Sequence, residues 1–294
     1  MSKVNFINYT NETNEGFDKT RMFYSKIQRG TFMDKLEQLQ ELLKSYGKVA
    51  VAYSGGVDSN FVLQVATKTL GKENVLAVTC LGGMMSKEDQ AEAKQLVENI
   101  PHEFVQLDVL QVQAFRENWP DRCYHCKKVV MSHVIEEAKK HGIQYVLDGK
   151  NKDDESVYRP GMKAAEELGI LSPLAKCELT KQEIRDYSKQ LGISTYNKPS
   201  NACLATRFNY HTNITYEMLE RIDQAEQLFH DIGIKHMRVR DIHNLARIEV
   251  EKQDFTKVLE HSELVDKLRE LGFDFVTLDL EGIKSGSFDK NKNK

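Results

Sequence analysis

Short apolar runs alternate along the first part of the chain with segments whose apolar residues recur every three or four positions. Residues 48–53 form an apolar, β-branched run, the pattern of a strand buried on both faces. Residues 32–46 carry Phe32, Leu36, Leu39 and Leu43 at helical spacing and stop near Gly47. A second helix is predicted over 58–70, closed by Gly71, followed by a strand over 75–79. Ser86 opens a helix that runs to about residue 99, and 103–107 reads as a strand. A helix over 127–141 stops at Gly142, before a strand over 144–147. Thr180 with Glu183 forms a capping-box signature at the head of a helix over 181–191. This alternation predicts an α/β fold, a doubly wound parallel sheet with helices on both faces. Ligands then lie beyond the carboxyl ends of its strands.

The pattern changes near residue 210. A helix over 216–232, strands over 236–240 and 246–250, helices over 255–259 and 263–271 and a strand over 273–280 predict a smaller α+β domain. The chain is thus divided into a weakly ordered extension (1–31, where 17–27 has the makings of a short docking helix), a nucleotide domain (32–210), a substrate or oligomerisation domain (211–286) and a tail (287–294).

Composition narrows the setting. A formal net charge of −3 over 294 residues supplies no basic field for nucleic acid. No apolar stretch approaches the roughly 20 residues of a membrane helix, and the N-terminus has no signal-peptide core. Five unevenly spaced cysteines suit a reducing cytoplasm better than a disulfide framework.

The chemistry gathers first at Ser54-Gly55-Gly56-Val57-Asp58-Ser59, set between the first strand and the helix after it. Two glycines let the backbone turn sharply and approach a ligand closely. The helix N-terminus offers unpaired N–H groups to an oxyanion, and Ser54 and Ser59 can add hydroxyl donors. The lysine of the Walker loop is absent. The hexapeptide resembles the pyrophosphate loop of the ATP pyrophosphatases, which cleave ATP between the α- and β-phosphates and adenylate a substrate. That resemblance implies ATP, with Mg²⁺ neutralising the leaving pyrophosphate. Asp58 either helps to hold that Mg²⁺ or serves as a favourable charge at the helix N-terminus.

The cysteines form the second group. Cys123-Tyr124-His125-Cys126 is placed just before a helix, where the dipole lowers thiol pKa values. Such pairs serve zinc, iron–sulfur clusters or thiol redox chemistry. Without a second C-x-x-C, a four-cysteine zinc site is not expected, and His125 is expected to point away. If Cys203 joins the pair, three thiolates can hold a 4Fe–4S cluster and leave one iron open. Cys80 and Cys177 read as buried, inert thiols.

With the loop, the segment Leu147-Asp148-Gly149-Lys150-Asn151-Lys152-Asp153-Asp154, the turn Tyr158-Arg159-Pro160-Gly161 and residues 203–207 in view, the chain resembles the LarE family over residues 32–286. The likeness continues through Met237-Arg238-Val239-Arg240, Ala246-Arg247-Ile248-Glu249 and residues 277–286. That family comprises ATP-dependent sulfur transferases of nickel-pincer nucleotide biosynthesis. They adenylate a carboxylate of pyridinium-3,5-biscarboxylic acid mononucleotide and replace AMP with sulfur. In one branch the cysteine matching Cys203 gives up its own sulfur. In the other, three cysteines hold a cluster whose open iron carries a transferable sulfide. Cys123, Cys126 and Cys203 together resemble the cluster branch.

The resemblance further implies nucleotide contacts at Ser54, Gly55, Gly56, Asp58, Ser59 and Gly149. It implies substrate contacts at Arg238 and Arg240, which share a strand face suited to a phosphate. Glu226, Glu249 and Asp254 match acidic positions lining the family's substrate or metal site. Arg207 reads either as a substrate contact or as a structural ion pair. Lys284 stands where the family often has Arg; Gly149-Lys150-Asn151 and Arg207-Phe208-Asn209-Tyr210-His211 also depart from the usual pattern. A homo-oligomer, with sulfide or a cysteine desulfurase as sulfur donor, is the expected setting. Three other readings remain open: a tRNA thiolase of the same superfamily, an ammonia-dependent ligase, and a cluster- or nucleotide-binding sensor without turnover.

Overall fold

The computed structural model describes residues 33–97, 99–156 and 160–284. The extension 1–31 with its suggested 17–27 helix, Tyr158-Arg159 of the quoted turn, Ser285-Gly286 and the tail 287–294 lie outside the described residues.

Asp34 accepts the backbone N–H of Glu37 while Glu37 reaches back, and this capping box starts helix α1 (Lys35–Tyr46). Strand β1 (Val49–Ala52) leads through the glycine loop into α2 (Val57–Leu70). β2 (Val75–Leu81), α3 (Lys87–Gln95), β3 (His102–Gln106), α4 (Arg122–Lys140) and β4 (Tyr145–Leu147) follow. All four strands are parallel, in the order β3-β2-β1-β4. Ala50 stands opposite both Leu76 and Val146.

Side chains alternate across such a sheet, so each strand feeds two cores. Val49, Val51, Val75, Ala77 and Leu147 pack with Leu39, Leu43 and Phe61 of α1 and α2. Ala50, Leu76, Val78 and Val146 pack with Met131, Val134 and Ala138 of α4 on the other face. The sheet is therefore doubly wound, and burial on both sides explains why β1 and β2 read as unbroken apolar runs. Helix α5 (Pro160–Glu167) adds Ala165 to the α4 side. The capping box of Thr180 and Glu183 opens α6 (Lys181–Gln190).

A second, three-stranded sheet lies towards the C-terminus. Helix α7 (Tyr216–Asp231) precedes the antiparallel hairpin of β5 (Met237–Ile242) and β6 (Leu245–Val250). His243 and Asn244 turn it with φ of 53° and 65°, the positive pair that a two-residue hairpin needs. α8 (Phe255–Glu260) and α9 (Glu263–Glu270) return the chain to β7 (Phe275–Leu278), which pairs parallel to β6. Leu219, Ile222 and Phe229 of α7 join Val239, Ile248 and Leu268 in a third core that also takes in Phe115, Leu204 and Phe208. No described helix is long and apolar enough to cross a membrane.

Two boundaries differ from expectation by more than three residues, the first with consequences for the cysteines. Helix α4 begins at Arg122, not at 127, so Cys123 and Cys126 sit inside its first turns rather than ahead of it. That start carries no side-chain cap and no apolar periodicity, so nothing in the residue pattern marks it. The helix expected to run from 86 to 99 ends at Gln95.

Candidate active site

The glycine loop is shaped by backbone proximity. Gly55 has φ of 70°, and a Cβ there would lie 3.1 Å from the Cβ of Ala93 on α3. The hydroxyls of Ser54 and Ser59 are 3.1 Å apart, and Ser59 Oγ donates to the carbonyl of Gly56 at 3.2 Å. Gly149 follows the end of β4, and a Cβ on it would fall 2.8 Å from the backbone nitrogen of Ser59 and 3.1 Å from Asp58. The strand end thus comes up directly against the first turn of α2, where the free N–H groups point out.

Asp58 is split in its contacts. Oδ2 lies 2.5 Å from Nζ of Lys181, at the head of α6, while Oδ1 is buried without a hydrogen-bond partner among the described residues. An orphaned carboxylate oxygen beside an anion-binding loop is a donor of the type Mg²⁺ takes, so the residues present suit that ion.

A cleft of about 320 Å³ runs from this loop to the second sheet. Ser54, Gly56, Asp58 and Lys181 line one end; Cys203, Arg207 and Glu226 line the other. Cys203 is half-buried and precedes the short turn Leu204–Arg207. Burial pushes the Cys126 thiol up to about 12, and the nearness of Cys203 and Cys123 adds to it. Burial likewise raises Cys203, against the backbone N–H of Ala205 and the charge of Arg122, with Cys123 raising it further. The expectation that the helix dipole lowers the thiol pKa values fails at Cys126, because desolvation of a thiolate outweighs the partial charge of a helix end.

The three cysteines therefore share one neighbourhood. Among the described residues no three of His, Cys, Asp or Glu converge on a single metal ion. A 4Fe–4S cluster takes one thiolate on each of three irons, and Cys123, Cys126 and Cys203 are free thiols of the kind it takes. His125 turns instead to Asp121 (3.3 Å) and lies edge-on to Trp119. Cys80 and Cys177 are buried, each pushed by burial up to about 11.

Asn118, which the residue pattern did not single out, organises the loop after Cys203. It is fully buried with φ of 49°, a conformation Asn tolerates better than most residues. Its Nδ2 donates to the carbonyls of Phe208 (3.2 Å) and Asn209 (2.7 Å), and its own carbonyl accepts the N–H of His211. Arg122 stacks on Tyr210, 5.2 Å from the ring centroid. The start of the Cys123–Cys126 helix is thereby fastened to the chain that follows Cys203.

Arg207 and Glu226 line the far end; Arg238, Arg240, Arg247, Glu249 and Lys284 lie beyond its lining. Arg207, 3 % exposed, makes a bidentate pair with Glu226, both bonds 2.8 Å, and donates to the carbonyl of Ala202. Glu226 also accepts the N–H of Val239. Of the two readings of Arg207, the ion pair is the contact observed, and Arg207 still borders the cleft. Arg240 bonds Glu249 at 2.9 and 3.1 Å and the carbonyl of Thr206, while Arg247 takes the other oxygen of Glu249 at 2.6 Å. Arg238 shares the strand face of Arg240; burial first, then that neighbouring cation, lowers its pKa. Its Nη1 donates to the carbonyl of Lys284, whose ammonium pairs with Glu281. Asp254 stands on the turn Lys252–Asp254 and does not line the cleft.

The chain resembles known proteins in two ways. Residues 32–150 match the NAD synthase family. A pyridinium-3,5-bisthiocarboxylic acid mononucleotide synthase of Lactiplantibacillus plantarum is 34 % identical over 267 residues, 90 % of this chain and 97 % of that protein. Uncharacterized proteins of Synechocystis sp. and Methanocaldococcus jannaschii are 38 % and 33 % identical, covering 87 % and 86 % of this chain and 97 % and 99 % of their own lengths.

Proposed function

The chain belongs to the LarE family, and on that premise we propose that it adenylates a carboxylate of pyridinium-3,5-biscarboxylic acid mononucleotide and exchanges AMP for sulfur. It is an ATP-dependent sulfurtransferase, and the reading adds the sulfur source: a 4Fe–4S cluster on Cys123, Cys126 and Cys203. The observation that carries the reading is the single cleft joining the glycine loop to Cys203 and Arg207.

In the first step a substrate carboxylate oxygen attacks the α-phosphorus of ATP, the α–β bond breaks, and pyrophosphate leaves. The backbone N–H groups of the loop and the head of α2, with the Ser54 hydroxyl, hold the phosphates; Ser59, whose hydroxyl donates to the Gly56 carbonyl, orients Ser54, and Gly149 leaves room for the adenylate. Asp58 Oδ1 would hold Mg²⁺, which would neutralise the departing pyrophosphate. In the second step sulfur attacks the acyl carbon, the C–S bond forms, and AMP leaves with the bonding pair. The cluster, when bound, supplies an anionic sulfide on the iron that lacks a protein ligand. Arg238 and Arg240 offer cationic charge for the substrate phosphate, Arg240 held in place by Glu249 and the Thr206 carbonyl and Arg238 by the carbonyl of Lys284. Residues 32–210 act as the adenylating unit and 211–286 as the substrate unit.

Iron and acid-labile sulfide per chain, on protein purified without oxygen, test the sulfur source. About four irons per chain are expected, lost in Cys123→Ala and Cys203→Ala and kept in Cys80→Ala and Cys177→Ala. A full cluster in Cys203→Ala contradicts the three-ligand site. No iron, with Cys203 losing the mass of H₂S after turnover, assigns the sulfur to Cys203 itself.

A further inference from the structure

We propose that Lys198 is a positioning residue that, with Asp89 and Asn201, tethers the Cys203 segment to the phosphate loop and keeps sulfur delivery coupled to adenylation. The inference rests on the sulfur-transfer reading above.

The ammonium of Lys198 has three protons and three acceptors: Asp89 Oδ1 at 2.9 Å, Glu92 Oε2 at 2.5 Å and the carbonyl of Gly55 at 3.4 Å. Its side chain is 12 % exposed, a depth lysine reaches only when paired. Asn201 Nδ2 meets the same Asp89 carboxylate at 3.3 and 3.2 Å. The N–H of Leu204 donates to the carbonyl of Met84, just ahead of α3. Residues on both sides of Cys203 are thus fixed to α3 or the loop leading into it.

Helix α3 also supports the phosphate loop, since Ala93 packs where a Cβ of Gly55 would stand. It reaches the second sheet as well: the N–H of Lys87 bonds Asp223, and Glu88 pairs with His230, both on α7. One helix therefore sets the distance between the group that binds phosphate and the segment that carries the thiol. Lys198 lines the cleft beside the phosphate loop, and with its three protons engaged inside the protein it acts through this segment.

An acyl adenylate reacts with water when sulfur is badly placed. Water then attacks the acyl carbon, AMP leaves, and the carboxylate is regenerated, so pyrophosphate accrues without thiocarboxylate. Loss of the tether should show as this leak.

The test measures pyrophosphate and thiocarboxylate together, in the full chain with its cluster, for wild type, Lys198→Met, Lys198→Arg and Asn201→Ala. Wild type should give one pyrophosphate per thiocarboxylate. Lys198→Met should raise the ratio several-fold and speed hydrogen exchange in residues 198–207. Lys198→Arg should recover part of the coupling. Asn201→Ala removes only an exposed amide, so it reports on the tether even where Lys198→Met folds poorly, and should fall between. A raised KM for ATP with an unchanged ratio would overturn the proposal and assign Lys198 to the nucleotide. If wild type releases no pyrophosphate, the sulfur-transfer reading fails, and the tether stands or falls on exchange alone: unchanged exchange in Lys198→Met overturns it.

Discussion

The phosphate loop is built from backbone, whereas the region around Arg207 and Arg240 is built from long side chains buried against one another. In the loop, close packing requires that Cβ atoms be missing: Gly149 stands where one would press on Ser59. In the second region, burial requires that each charge have its partner: Arg207 with Glu226, Arg240 and Arg247 with Glu249. One site is intolerant of added atoms, the other of removed ones.

Removing one partner of a buried pair should have the largest effect. Arg207→Ala leaves Glu226 charged and unpaired, and denaturant unfolding should show a loss of about 3–5 kcal/mol. The double variant Arg207→Met with Glu226→Leu should recover most of that stability, because two apolar groups leave no lone charge. Equal losses in both would break the distinction between the regions.

Gly149→Ala probes the loop from the opposite direction. The added methyl should displace the head of α2 and cut substrate-dependent pyrophosphate release by about 100-fold, the scale of a 1 Å misplacement at a reacting site. Its unfolding midpoint should move less than that of Arg207→Ala.

Asn118→Ala tests the join between the two regions. It strips two buried carbonyls of their donor and places Ala at a positive φ, so about 1–3 kcal/mol should be lost. Fluorescence from Trp119, the chain's single tryptophan, should report the disturbance beside Cys123.

The last effect concerns acid. His102 on β3 is lowered by burial to about 4 from 6.5. Thr79 gives its hydroxyl proton to the carbonyl of Tyr53, so His102 Nε2 donates to Thr79. Between these pH values the unfolded chain binds a proton that the folded chain refuses, so stability should fall as pH drops from about 6.5 to about 4. His102→Gln should flatten that slope.

These two regions also divide what the residue pattern reveals. The parallel sheet was legible because strands buried on both faces are apolar, as Val49–Ala52 is. The loop was legible because glycines and hydroxyls at fixed offsets are what a backbone anion site demands. The start of α4 was not, since Arg122–Lys127 carries no periodicity and no capping bond. Nor were the pairings of Arg207 and Arg240: an isolated Arg or Glu looks the same whether it meets a substrate or another side chain. Asn118, Asp89 and Lys198 left no signal either, because their importance lies in contacts with residues distant in sequence.

The central proposal is that one cleft serves both adenylation and sulfur delivery. Its most direct test is pyrophosphate release from ATP, with and without pyridinium-3,5-biscarboxylic acid mononucleotide, alongside thiocarboxylate formed. Release that depends on the dicarboxylate and matches the thiocarboxylate is the predicted result. Release that ignores the dicarboxylate and instead follows added tRNA or ammonia would contradict it.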